Sequence, residues 1–408
     1  SHFGSSCAFR SAPPAGGGSP REMFQACALR GLRASCRGYG GGLWPRQRAP
    51  LRLTASASAP VKIAFPRPAA ATLARCASAA SSGGSEKGIP EPIPLHPFAL
   101  EVLRGVGQVV FCNSTLSGAV ILGGLCFAAP KLGALALIGS AASTGAARMA
   151  GAEAAAVTAG LFGYNGTLVG CAFSAFLGWP FLLKVLATVA GAASTALLAM
   201  RLGVLIAPVP QWTLAFNIVT LGGLVVARPS AKEPPAEAPA GFGMLDPLDW
   251  LEALLNGVSQ IFVVSSPLAG LAVLLGIATY SPYAALATAL GSLLGLLTAA
   301  VVGADANPAA LGLWGFNPAL AALAVSIFFV PLGAEYAALV CGGAVAAALV
   351  TAGTQALFSA TLQVPSLTLP FCAVASACFL LGGRAPGLVR ARAPHSPEAN
   401  LQAYYRRG

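Results

Sequence analysis

From about residue 98 to residue 383, long apolar runs alternate with short breaks at Gly, Pro and isolated charges. In the first half the runs read as spans near 118–130, 133–147, 155–175, 180–200 and 212–227; counterparts follow near 270–280, 284–303, 310–330, 333–353 and 367–383. Several fall short of the ~20 residues that a full crossing needs, so either these boundaries shift or some segments are broken. Two amphipathic stretches, 98–111 and 248–263, precede the first run of each half and stop at Asn113-Ser114-Thr115 and Ser265-Ser266-Pro267. Each is too short to span. A helix that stops inside a membrane is tolerated only against protein or a water-filled cavity, so the pattern predicts one re-entrant half-helix per half. The plainer alternative is an interfacial helix.

The two halves are copies of one another. GVGQVVFCNSTLSG at 105–118 returns as GVSQIFVVSSPLAG at 257–270, and LFGYNGTLVG at 161–170 as LWGFNPALAA at 313–322. The offset is 260 − 108 = 152 in the first pair and 317 − 165 = 152 in the second. A third pair, Thr213-Leu214 with Phe216 and Thr368-Leu369 with Phe371, is shifted by 368 − 213 = 155. Duplication inside an apolar chain is the architecture of channels and transporters, with the solute site where the repeats meet. The division that follows is 1–97 leader, 98–228 first repeat, 229–247 polar linker, 248–383 second repeat and 384–408 tail.

Composition supports the membrane reading. Hydrophobic residues make up 56% of the 408 and charged residues only 9%, against about 25% charged in a soluble domain. The net charge of +11 is unevenly spread. Residues 1–85 hold eleven Arg or Lys against the single acid Glu22, and are rich in Ser, Ala, Pro and Gly. That is the composition of an organelle transit peptide, with an unaddressed basic tail as the alternative; nothing aromatic or modular accompanies the charge to suggest nucleic-acid binding. The linker is acidic on balance and the tail basic. Positive segments mark the cytoplasm-like side, so basic ends around an acidic middle predict an odd number of crossings per half. The fold class expected is therefore all-α and polytopic: two inverted repeats of five transmembrane helices, each with a re-entrant half-helix.

The ionisable side chains offer little chemistry. His2, His96 and His395 all lie outside the apolar region, and the ten cysteines show no CxxC spacing, so neither metal nor other cofactor is expected. Arg148, Glu153, Lys184, Arg201, Asp305 and Glu335 fall near Gly- or Pro-containing breaks, where snorkelling at helix ends accounts for them. No paired acids suggest ion coupling. The duplicated polar residues are neutral: Gln108 and Gln260, Asn165 and Asn317, Thr213 and Thr368. Their oxygens can accept from an N–H-bearing solute between flat walls drawn from Phe111, Phe162, Tyr164, Trp314, Phe316, Phe216 and Phe371.

These motifs, with WTLAFN, LNGVSQ, LTLPF and the tail SPEANLQAYY, resemble the urea transporter family over about 98–383. The resemblance implies two inverted halves of five helices plus a tilted pore half-helix, a homotrimer in a lipid bilayer, and a channel-like path for urea through each protomer. It implies pore-lining positions at Gln108, Phe111, Leu168, Thr213, Gln260, Leu320 and Thr368. One position departs: Phe111 is matched by Val263, with Phe262 one residue earlier, so either the aromatic slot is one-sided or Phe262 turns in. Other passive solutes (short amides, ammonia, water) and an ion-coupled carrier stay open as alternatives. An aquaporin reading fails because Asn307-Pro308-Ala309 and Asn317-Pro318-Ala319 lie in one half, and an ammonium channel would need intramembrane histidines. The leader points to a plastid envelope, with the plasma membrane as the alternative.

Overall fold

Ser114 and Ser266 each start a helix in the same way: an extended residue whose hydroxyl accepts from the amide three residues on, Ser117 at 3.2 Å and Ala269 at 3.3 Å. Proline at the first turn recurs at Pro130 and Pro282, where its missing N–H costs nothing. A computed structural model describes residues 96–228, 241–242, 246–382, 384–385 and 387–406 of the chain. The basic leader and most of the polar linker lie outside the described residues.

The first half runs α1 (Pro97–Gln108), α2 (Thr115–Ala128), α3 (Pro130–Met149), α4 (Ala154–Thr158), α5 (Gly163–Phe176), α6 (Phe181–Leu205) and α7 (Leu214–Ala227). The second runs α8 (Pro247–Ser259), α9 (Pro267–Tyr280), α10 (Pro282–Val301), α11 (Ala306–Ala310), α12 (Phe316–Phe328), α13 (Gly333–Thr361) and α14 (Leu369–Leu381). A short α15 (Pro397–Tyr405) ends the described chain. The helices α2, α3 and α4 recur as α9, α10 and α11 at an offset of 152 at both ends (267 − 115, 280 − 128, and so on). The backbone repeats too: Phe111 and Val263 are left-handed at φ 59° and 61°, Trp212 and Leu367 at 49° and 51°, Gly160 and Gly312 at 75° and 82°. No strand longer than an isolated bridge occurs among the described residues, so the protein is all-α and polytopic.

Some span boundaries move. The expected run 155–175 is two helices, because Gly160 turns left-handed and the amides of Gly160 and Leu161 close α4 onto Val157 and Ala156. Its counterpart 310–330 breaks likewise at Gly312. By length and composition α6, α10 and α13 can each cross a membrane, and α8 with its 3₁₀ extension forms a bent pair with α9 at 72°. At 14 residues, α2 and α7 reach only about 21 Å at 1.5 Å per residue, short of a ~30 Å hydrocarbon core.

The halves meet along α2 and α9, which run antiparallel. Ser117 near the start of α2 shares a 3.1 Å hydrogen bond with Thr279 near the end of α9. Further along, Gly124 faces Ala272 and Gly276 faces Ile121, and any Cβ on either glycine would collide with that neighbour. Gly124 and Gly276 are themselves repeat partners (276 − 124 = 152), so each half presents the same small residue to the other. The main core then runs through both halves, with Phe216, Phe262, Phe329 and Phe371 fully buried in it.

The tail folds back. Ala391 N–H donates to the Phe328 carbonyl at 2.9 Å, and Arg390 donates to the Gly382 carbonyl while lying 4.7 Å from the Phe379 ring centre. Asn400 donates to the Ile327 carbonyl at 2.7 Å. Glu398 accepts from the Ser281 hydroxyl at 2.8 Å and the Tyr283 amide at 3.2 Å, at the first turn of α10. Burial pushes the Glu398 carboxyl up, but hydrogen bonds from its own amide, Ser281, Tyr283 and Ser396 outweigh this and hold it below its ordinary value of 4.5. A lowered folded pKa gives stability that is present above the ordinary value and lost as pH falls through the folded one. Protection of the α15 amides from hydrogen exchange, corrected for the intrinsic pH dependence of the rate, is therefore expected to hold from pH 7 to about 5 and to fall below pH 4.5, with Glu398→Ala weakly protected throughout. Equal protection in Glu398→Ala and wild type would remove the latch.

Candidate functional site

The site is built on two repeated turns. Gly160 and Gly312, in a backbone region that costs other residues strain, expose the carbonyls of the residues just before them. Gln108 Nε2 donates to the Ala159 carbonyl at 2.8 Å, and Gln260 Nε2 to the Leu311 carbonyl at 2.9 Å. A carbonyl partner demands the amide nitrogen, which settles which way each side chain points. Each glutamine is thus tied by its donor, and its Oε1 keeps its acceptor capacity. α1 and α8 reach these turns because Gly105 lies against Gly163, and Gly257 against Gly315, with a Cβ on Gly105 only 2.8 Å from Gly163 Cα. Ser140 and Ser292 stitch the same crossings, donating to the carbonyls of Val102 and Leu254 at 2.8 Å each.

Thr213 and Thr368 come together. Their Oγ1 atoms lie 2.7 Å apart, across a sequence separation of 155, and each residue is 4% exposed. Equivalent residues touching one another is what a two-fold relation between the halves produces. Around them Asn217 donates to Thr368 Oγ1 at 2.9 Å and to the Thr213 carbonyl at 2.9 Å, and accepts from the Thr368 amide at 3.1 Å. Cys372 Sγ lies 3.3 Å from Thr213 Oγ1. Asn165 Oδ1 accepts from the Phe216 amide at 3.2 Å, and Asn317 donates to the Leu367 carbonyl at 3.2 Å. These bonds bind α5 to α7 and α12 to α14, with Leu168 and Leu320 one turn beyond the asparagines and 1% exposed.

The two ends differ. The Phe111 ring meets Phe328, Trp212 and Phe371 edge-on at 5.9, 6.2 and 6.4 Å. The Tyr164 hydroxyl donates to the Trp212 carbonyl at 2.6 Å. The repeat partners of Phe111 and Trp212 are Val263 and Leu367 (263 − 111 = 152, 367 − 212 = 155), both aliphatic. Phe262 is fully buried, whereas Val263 holds the half-buried, left-handed position equivalent to Phe111.

Residues 100–383 match the family model described as urea transporter. The chain is 33% identical over 298 residues to urea transporter 1 of Ovis aries, an overlap covering 69% of this chain and 76% of that protein. Urea transporter 1 of Rattus norvegicus is 31% identical over 315 residues, covering 74% of this chain and 81% of its own. The chain belongs to the urea transporter family. That is a family of transporters, not of enzymes.

Within this urea transporter family chain, one charge pair departs from the sequence reading. Arg148, read as snorkelling, bonds Glu101 at 2.6 Å and lies 5.2 Å from the Phe98 ring centre, fastening α3 to α1. Glu101 was not among the candidates: it is 5% exposed, and its second oxygen, Oε2, is buried with no hydrogen-bond partner. Its partner lies 47 residues away, and no local spacing marks such a pair. Lys184 donates to the Ser174 carbonyl at 2.9 Å at a helix start, in keeping with a helix-end role. Of the cysteines, Cys112, Cys171, Cys372 and Cys378 are buried, but Cys126 is exposed and Cys341 half-buried. Asn217 and Cys372 were also passed over, although each stands four residues after a duplicated threonine.

Proposed function

We propose that the protein passes urea down its gradient through a narrow path along the interface of two inverted repeats, without ion coupling. The observation that carries this reading is the matched pair of glutamines tied by their nitrogens, leaving acceptor oxygens at equivalent places in each half. Urea has four N–H donors and one carbonyl on a flat frame. A row of acceptors from Gln108, Thr213, Thr368 and Gln260 replaces the water it sheds, and Phe111 offers a flat wall at one end. Val263, rather than the buried Phe262, lines the other end, so the aromatic slot is one-sided. Leu168, Leu320 and the two threonines form the narrowest stretch, where a planar solute has to part packed side chains.

The antiparallel contact of α2 with α9 and the meeting of Thr213 with Thr368 both favour an inverted relation. In that reading α2, α3, α4 with α5, α6 and α7 are the five crossings of the first half, and α1 its re-entrant half-helix. We extend the family likeness to a homotrimer. The basic leader suits delivery to a plastid envelope, with the plasma membrane as the alternative destination. Removing one neutral hydrogen bond costs about 1 kcal/mol, so Thr213→Val and Thr368→Val are each expected to slow urea flux several-fold in stopped-flow measurements on proteoliposomes. Unchanged flux in both would take the threonines off the path.

A further inference from the structure

The duplicated frame places Asn217 and Cys372 at equivalent positions (372 − 217 = 155), each one helical turn past its threonine. The two halves therefore present the same hydroxyl but different partners for it. Asn217 is wholly buried and Cys372 7% exposed. Asn217 Nδ2 donates to Thr368 Oγ1 at 2.9 Å, the two hydroxyl oxygens lie 2.7 Å apart, and Thr213 Oγ1 lies 3.3 Å from Cys372 Sγ. Amide nitrogen is a donor only, whereas the Cys372 thiol is weak both as donor and as acceptor, so Asn217, whose Nδ2 also lies 3.4 Å from Thr213 Oγ1, is the strong donor that sets the direction of the row.

Two proton arrangements are compatible with these distances. In one, Asn217 donates to Thr368, Thr368 to Thr213, and Thr213 to Cys372, so both hydroxyl protons have a partner inside the cluster. In the other, Thr213 donates to Thr368, and the Thr368 proton is left to point away from all of them. At 4% exposure an unpartnered hydroxyl donor is costly, more so than an unpartnered thiol, which donates only weakly, so the first arrangement is favoured. The first arrangement holds both hydroxyl protons within the row and leaves only oxygen lone pairs toward a passing solute.

Resting on the placement of the threonines in the urea path, we propose that Asn217 is a positioning residue which, with Cys372 as its terminus, polarises the threonine pair so that the centre of the path accepts hydrogen bonds and does not donate them. Asn217 itself does not touch the solute. A donor-rich molecule such as urea crosses such a centre readily, whereas a hydroxyl proton turned into the path would oppose it.

The test exploits the repeat. Asn217→Cys leaves the row without its donor, and Cys372→Asn supplies a second donor at the other end, which forces one hydroxyl proton outward. Each single change is expected to slow urea flux about five- to tenfold. The double change Asn217→Cys with Cys372→Asn runs the same row in reverse, keeps the composition and volume of the cluster, and is expected to return flux to within about twofold of wild type. Proteoliposome flux of the full chain is read beside thermal melting for all three. A purely structural role for Asn217 would leave the double variant at or below the weaker single one, and that result, or wild-type flux in both singles, overturns the proposal. Should a single variant fail to fold, the double variant alone decides. Leu168→Trp is measured alongside: if it passes urea freely, the path itself is misplaced; if it blocks while the swap gives no recovery, only the polarised centre falls.

Discussion

Leu168→Trp and Leu320→Trp are each expected to cut urea flux by at least about tenfold while the purified protein still melts cooperatively. Both leucines are 1% exposed, one turn beyond the asparagines that tie α5 to α7 and α12 to α14. On the proposed path, indole adds bulk to the stretch where a planar solute would have to part packed side chains. A tenfold loss needs only about 1.4 kcal/mol of added barrier, and blocking a path one side chain wide raises the barrier by more. Overpacking a core commonly costs 1–3 kcal/mol in stability, so melting and size-exclusion profiles are read with the flux. Wild-type flux through a well-folded Trp variant would mean that urea crosses elsewhere.

Gly312→Ala is expected to destabilise the protein by roughly 3 kcal/mol, whereas Gly303→Ala is expected to cost about 1. Both glycines are left-handed, at φ 82° and 66°, and the backbone penalty of about 1–2 kcal/mol is common to them. They differ in surroundings. A Cβ on Gly312 would collide with the backbone of Asn256 and Gly257, while one on Gly303 meets nothing within 4 Å. Backbone cannot swing aside as a side chain can, so α8 has to lift away from the turn that holds Gln260. Gly312→Ala should therefore lose urea flux along with thermal stability, and Gly303→Ala should keep its flux. Equal melting temperatures in the two variants would contradict this account of the turn.

Much of this arrangement could be read from the chain, because the signals were local and occurred twice. Asn113-Ser114-Thr115 and Ser265-Ser266-Pro267 mark the breaks between α1 and α2 and between α8 and α9, and the constant offset aligns the two glutamines. The break inside the third span of each half was harder to see. Glycines are frequent throughout these helices, and nothing local tells Gly160, which turns left-handed, from Gly166, which stays helical against Gly139. Long-range pairs were hidden for another reason. Arg148 looked like a solitary charge at a helix end because Glu101, its partner, lies on a different helix and enters only through packing. The choice between Phe262 and Val263 was likewise undecidable from spacing, since it depends on one backbone turn. Left-handed φ at residue 263 sends Phe262 into the core and leaves valine in the equivalent of Phe111.

The central claim is that urea moves passively through each protomer, and stopped-flow urea flux in proteoliposomes of the purified full chain tests it most directly. With proton and sodium gradients collapsed by ionophores, the account predicts flux far above protein-free vesicles and the same rate when either gradient is restored. Flux no faster than the bare bilayer, or uptake that requires one of those gradients, would contradict it.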